Sequence, residues 1–189
     1  FSADQEREFL KACDDWQFPV FLTLILTGMR SGELCHLLLP EDLDLDGSVM
    51  YIRNKRELGW QVKTRNEREI PLVDPLVEVL RLTIDDRTTG PVFLRRRFGN
   101  ADRPFLAGYT KDDLAREVEH RVVARERDSG SDLSRSQRLQ ITRSVWRDAG
   151  SIKTDHIRKD FMRLTKVIET AQVTAPKTLR HLFATTLQD

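Results

Sequence analysis

Three stretches of this chain carry residue types that could do chemistry together. Thr27-Gly28-Met29-Arg30-Ser31-Gly32-Glu33-Leu34 holds Arg30 and, three residues on, Glu33. Far downstream, Lys177-Thr178-Leu179-Arg180-His181 sets a second arginine among a lysine and a histidine. Between them, Lys63 sits in Trp60-Gln61-Val62-Lys63-Thr64-Arg65-Asn66-Glu67-Arg68-Glu69-Ile70-Pro71-Leu72. A guanidinium is planar, stays protonated and binds two oxygens at once, which suits the charged oxygens of a phosphorus centre under attack. Pre-aimed donors of this kind contribute about 3–4 kcal/mol each in a water-poor site. Each residue also has an ordinary use. Arg30 and Glu33 make a local ion pair worth about 0.2–0.5 kcal/mol, Lys63 decorates a hairpin tip, and His181 fits equally well as a hydrogen-bonded core histidine. No Asp, Glu, Cys or His cluster has metal-ligand spacing, so neither metal nor cofactor is expected.

These groups need elements to aim them. Ser2 and Gln5 form a capping box that opens a helix through about Asp14, with Phe9, Leu10 and Cys13 inward. Val20 to Leu26 is apolar nearly all round and reads as a buried helix. Gly28 stops it, and Ser31 to Leu38 restarts as a short helix ending before Pro40. Arg30 therefore falls at a junction between helices, where a rigid scaffold can point a side chain outward. Three short strands follow, at Val49–Ile52, Trp60–Val62 and Glu69–Leu72, with Pro71 marking an end or edge. A helix from Pro75 to Ile84 and an extended segment Gly90–Phe93 come next. Residues 110–150 read as a charge-rich connection of two helices joined through 128–132. Thr110 and Ser134 are their N-caps, the latter boxed by Gln137, and Asp112/Arg116 and Glu117/Arg121 are i,i+4 pairs. A further helix spans about Asp155 to Ala171, and another begins near Thr178 after Pro176. The expected fold class is α+β, predominantly helical, with a small three-stranded antiparallel sheet.

The chain has 189 residues, 39% hydrophobic and 32% charged, enough for one well-buried soluble domain. Its longest apolar stretch, Phe18 to Met29, is too short to span a bilayer. Cys13 and Cys35 lack paired spacing and read as reduced core thiols, which points to the cytoplasm. With 31 basic and 30 acidic residues, a nucleic-acid face must come from local segregation. Arg53, Lys55, Arg56, Lys63, Arg65 and Arg68 concentrate on the hairpin, whereas Arg95-Arg96-Arg97 reads as solvated surface.

The Arg30 octet, the Lys63 segment and the Lys177–His181 segment, in this order, resemble the phage integrase or tyrosine recombinase family. The resemblance covers essentially the whole chain, 110–150 being an expanded connection. It implies an integrase-like catalytic core that binds duplex DNA and cuts one strand without metal or ATP. By that resemblance Arg30 and Arg180 would clamp the scissile phosphate, with Glu33 supporting Arg30 and His181 supporting the site. Lys177 would be a further cation in a place the family often gives to histidine. Lys63 would protonate the leaving 5′ oxygen, its pKa drawn toward neutrality by the neighbouring arginines. Arg53, Lys55, Arg56, Arg65 and Arg68 would contact the DNA backbone. The family's tyrosine nucleophile follows the second arginine by a few dozen residues, whereas Tyr51 and Tyr109 both precede Arg180. The chain therefore reads as a partial catalytic domain, 1–189, with no nucleophile and no cleavage of its own. The full-length parent, in a phage or mobile element, would self-assemble on DNA and form a 3′-phosphotyrosyl intermediate.

Two other readings compete. A non-catalytic DNA-binding relative would keep the clamp without its nucleophile. A helical interaction domain with accidental motif matches would leave Arg30, Lys63 and Arg180 apart in space.

Overall fold

The computed structural model describes residues 2–64, 66–96, 106–168 and 176. Local sequence signals start and stop most of its elements. Helix α1, Ala3–Lys11, opens on the reciprocal Ser2–Gln5 box, the two backbone N–H groups donating across it at 2.8 and 3.2 Å. Helix α2, Gln17–Thr27, begins behind Asp14, whose Oδ1 accepts from the N–H groups of Trp16 and Gln17. It ends at Gly28, whose φ of 60° is a left-handed turn that an L side chain resists. Helix α3 is a single turn, Ser31–Leu34.

The expected helix to Leu38 is shorter than its pattern. Leu38–Leu39 leaves it as strand β1, pairing antiparallel with β5, Gly90–Pro91, and Asp42 Oδ2 accepts the Leu38 N–H at 2.8 Å. The three-stranded antiparallel sheet is present, but its membership differs from expectation. Its order is β2 (Leu43–Asp44), β3 (Val49–Ile52), β4 (Arg68–Pro71). Trp60–Val62 contributes no strand. Arg56–Leu58 forms a 3-10 turn instead, and Lys55 and Trp60 exchange backbone hydrogen bonds that close a small loop. Alternation of Trp60 and Val62 mimics a strand, but Val62 packs into the larger core and Trp60 against α3 and His36. Pro71 does end the edge strand β4.

Helix α4 is Asp74–Ile84; α5, Lys111–Ser129, and α6, Arg135–Asp148, are boxed by Thr110/Asp113 and Ser134/Gln137. Glu126 pairs with Arg138 and Arg121 with Asp148, a reversed order that marks an antiparallel hairpin. Arg121 also pairs with Glu117 at 2.7 Å, whereas Arg116 pairs with Asp113 one turn back. Helix α7 is Thr154–Val167.

Two apolar cores result. The larger joins α1, α2, α4, the sheet and α7 around Phe9, Phe21 and Phe161, whose ring centroids lie 5.1–6.2 Å apart. The smaller lies under the α5–α6 hairpin and takes Leu38 and Leu58 from the rest of the chain. Cys35 is buried and Cys13 half-buried, both as free thiols. Among the described residues, no helix is long and apolar enough to cross a membrane.

Phe161 is fully buried between α1 and α2. Phe161→Ala should cost about 3–5 kcal/mol of unfolding free energy, read from the urea midpoint at unchanged slope.

Candidate functional site

The α2–α3 junction sets Arg30. After the Gly28 turn, Met29 is buried and pins the chain, and Arg30 takes an extended backbone (φ −80°, ψ 146°) at the N-cap of α3. Glu33, one turn on, is buried beneath it. Its Oε2 accepts the Arg30 backbone N–H at 2.8 Å, and its Oε1 accepts Arg30 Nη1 at 3.1 Å. Arg68 on β4 reaches the same carboxylate with Nη1 at 3.2 Å and Nη2 at 2.7 Å. Burial pushes the Glu33 carboxyl up, but the hydrogen bonds from Arg68 and from the Arg30 N–H reverse this and hold it below its ordinary value. The carboxylate therefore stays ionised and saturated. Both arginine side chains remain about one third exposed, at 31% and 34%. Among the described residues, Nε and Nη2 of Arg30 have no partner, so this cation can still donate to an anion.

Arg68, expected as a DNA-backbone contact, directs both terminal nitrogens at Glu33, while its side chain remains about one third exposed. A signal existed: in a strand, residues two apart share a face, and Ile70 is buried.

Lys63 lies exposed in a turn of the long connection between β3 and β4. That connection is clipped at its base by Asn54, whose N–H and Nδ2 donate to Glu67 Oε1 at 2.8 and 3.1 Å. Asn54 Oδ1 in turn accepts the N–H of Val62, which is itself buried, one residue before Lys63. Among the described residues, Lys63 makes no ion pair.

The other basic residues of the connection divide. Arg53 and Arg56 are exposed, Arg53 lying 4.2 Å over the Tyr51 ring and donating to the Glu41 carbonyl. Lys55 is the reverse of its expectation. It is buried, and its Nζ stands 2.7 Å from Asp42 Oδ2 in the interior, so it is unavailable to DNA. Burial pushes the Asp42 carboxyl up despite the Lys55 ammonium, and its Oδ1 has no partner. Among the described residues, Tyr51 lies under Arg53, and Tyr109 packs on the smaller core. Arg96 pairs with Asp14 and lies over Trp16.

One cluster had no sequence signal. The His36 and Trp60 rings stack at 3.8 Å with an interplanar angle of 5°, and Trp146 of α6 meets His36 edge-on at 4.7 Å. His36 Nδ1 lies 2.6 Å from the Gly32 carbonyl. Burial pushes the imidazole down to about 4, against the Gly32 carbonyl, which raises it, while the Lys55 ammonium lowers it further.

The structure thus brings together Arg30, Glu33 and Arg68. Arg65, Lys177, Arg180 and His181 lie outside the described residues, as does Arg97. No group of three or more His, Cys, Asp or Glu that could hold a metal ion occurs among the described residues.

The family described as the phage integrase family matches residues 1–189. Comparison with curated proteins finds no match. Among solved structures, the fold is similar to that of XerA recombinase, with a TM-score of 0.59 and 18% identity over 100% of this chain and 50% of that one. It is equally similar to Tn1549 transposon integrase in complex with transposon right end DNA, with a TM-score of 0.59 and 20% identity over 99% of this chain and 52% of that one. The chain spans about half the length of these two structures.

Removing one partner of a buried ion pair leaves an uncompensated charge. Lys55→Ala should therefore lower stability by about 3–5 kcal/mol, while Arg56→Ala moves it by less than about 0.5 kcal/mol. Chemical denaturation of both variants reads this difference.

His36 gives a pH dependence with a defined sign. Unfolded, it takes a proton near its ordinary 6.5; folded, only near 4. Its contribution is complete above pH 6.5 and is lost as pH falls toward 4, at up to about 1.4 kcal/mol per unit. The urea midpoint should fall across that window, and His36→Phe should flatten the fall. An unchanged slope in the variant would assign the acid sensitivity elsewhere.

Proposed function

This chain belongs to the phage integrase family, the tyrosine recombinases, and on that premise we propose that residues 1–189 are a partial catalytic domain of a site-specific DNA recombinase acting on duplex DNA. In this reading Arg30 donates to a non-bridging oxygen of the scissile phosphate, and Arg180 closes the clamp from the other side. Lys177 supplies a further cation and His181 supports it. Glu33 and Arg68 act on Arg30, holding its fork in one orientation before substrate arrives.

A tyrosine hydroxyl attacks phosphorus and releases its proton to solvent water, the bond to the 5′ oxygen breaks, and the leaving oxygen takes a proton from Lys63, which solvent then restores. The resulting 3′-phosphotyrosyl ester keeps the energy of the broken bond. A 5′ hydroxyl on a new strand reverses the step and frees the tyrosine. Tyr51 sits under Arg53 and Tyr109 on the smaller core, so we assign the nucleophile to sequence outside residues 1–189. In the full-length protein, self-assembly on DNA would bring the exchanging strands together, and the reaction would take place in the cytoplasm. Exposed Arg53 and Arg56 serve as backbone contacts, which position the duplex without reading its sequence.

The observation that supports this most is the Arg30–Glu33–Arg68 constellation. A guanidinium with unused donors, fixed by a saturated buried carboxylate, is a group pre-aimed at an anion. Metal-free phosphoryl transfer requires such fixed cations where charge develops.

The test is covalent capture of a suicide duplex by the full-length protein. Arg30→Ala should lower the rate of covalent complex formation by roughly 100- to 1000-fold. Undiminished capture would remove Arg30 from the mechanism. A duplex-binding titration should show affinity falling steeply with salt, as counterion release demands.

A further inference from the structure

Lys63 itself is held by nothing: its turn is exposed and its ammonium is unpaired among the described residues. The backbone just before it is held firmly, and largely from the α5–α6 side. Trp146 Nε1 of α6 donates to the Leu58 carbonyl at 3.0 Å. Gly59 lies so close to α6 that a side-chain carbon there would meet Thr142 Oγ1 at 2.6 Å. Lys111 at the start of α5 pairs with Glu57 at 3.4 Å. Leu58 is buried in the smaller core with Leu114, Val118 and Val122 of α5.

The same loop is joined to the arginine-bearing helix by one stack of rings. Trp60 lies flat on His36, which follows α3 by two residues, and the Trp146 ring meets His36 in a T-shaped contact. A side-chain carbon at Gly32 would stand 3.2 Å from the Trp60 ring, so α3 itself rests on the indole. His36 is held in this place by its bond to the Gly32 carbonyl. From Trp60 the chain runs through buried Val62 directly into Lys63.

We propose that Trp60, His36 and Trp146 are positioning residues for Lys63: the α5–α6 hairpin, acting through this three-ring joint, sets where the Lys63 turn stands relative to the helix that carries Arg30. The proposal rests on the reading of Lys63 as the proton donor to the leaving oxygen. A general acid works only within hydrogen-bond reach of the atom it protonates. Misplacement by about 1 Å can cost on the order of 100-fold in rate. Arg30 is fixed independently by Glu33, so loosening the joint should move the proton donor and leave the phosphate clamp standing.

The test separates proton donation from every other step. A suicide duplex carries either the ordinary bridging 5′ oxygen or sulfur in its place. A thiolate is a weak base and leaves without being protonated, so loss of a proton donor is masked on the sulfur substrate. In the full-length protein, Lys63→Ala should be slow on oxygen and near wild type on sulfur. Trp60→Ala and His36→Ala should show the same pattern, slower by roughly 10- to 100-fold on oxygen, with DNA affinity unchanged. Trp60→Phe and His36→Phe keep a ring in the stack and should retain most of the rate on oxygen.

If Lys63→Ala is rescued by sulfur but the alanine variants of the joint are equally slow, or equally fast, on both substrates, the joint does not position Lys63. If Lys63→Ala is not rescued, its role as proton donor is lost and the proposal goes with it. Should Trp60→Ala unfold, Trp146→Phe, which removes the bond to the Leu58 carbonyl and shrinks the ring against His36, carries the same comparison.

Discussion

The carboxylate of Glu33 is buried at the meeting point of α3 and β4, and a buried charge persists only while it is paired and hydrogen-bonded. Four bonds meet that requirement, two from Arg30 and two from Arg68. The constraint acts in both directions. Glu33 can stay ionised only if β4 runs in the register that sets Arg68 opposite Ile52 and over α3. A slip of one residue would turn Arg68 to the other face of the sheet and leave the carboxylate with Arg30 alone. Strand register, helix junction and the aim of Arg30 are therefore one linked arrangement. That linkage gives a surface arginine a fixed direction without burying its free donors.

Regular structure does little of the work between β3 and β4. The connection is held by side chains reaching into it: Asn54 across its base, the Lys55–Asp42 pair below, and the His36–Trp60–Trp146 stack at its flank. Functional groups on loops need a rigid surround, and here the surround comes from elements distant in sequence. The α5–α6 hairpin, mostly charged on its outer faces, contributes through its narrow apolar inner stripe of Leu114, Val118 and Val122. Two ion pairs, Arg121 with Asp148 and Glu126 with Arg138, link the two helices.

Much of the fold was legible from residue types at short range. The Ser2/Gln5 and Ser134/Gln137 boxes start helices where expected, Gly28 stops one, and Pro71 ends an edge strand. The misreadings share a cause. Leu38 continued a helical stripe, but its N–H is taken by Asp42 and its backbone by β5. Trp60 and Val62 alternated like a strand, yet among the described residues Trp60 makes only an isolated bridge to Lys55 and Val62 joins the larger core. Lys55 looked like one more surface cation, and only the position of Asp42 makes it a buried one. In each case a contact outside the local pattern decided the outcome.

The sequence by itself determined which cationic residue types are present, where most helices begin and end, and the family to which the chain belongs. Those properties are local: a cap, a glycine turn or a motif is complete within a few residues. Tertiary structure alone decided that Arg68 serves Glu33, that Lys55 is withdrawn from the surface, and that an imidazole and two indoles join α3, the Lys63 loop and α6. Burial, pairing and stacking depend on what the folded chain brings within a few ångströms, and residues dozens of positions apart carry no local mark of that meeting.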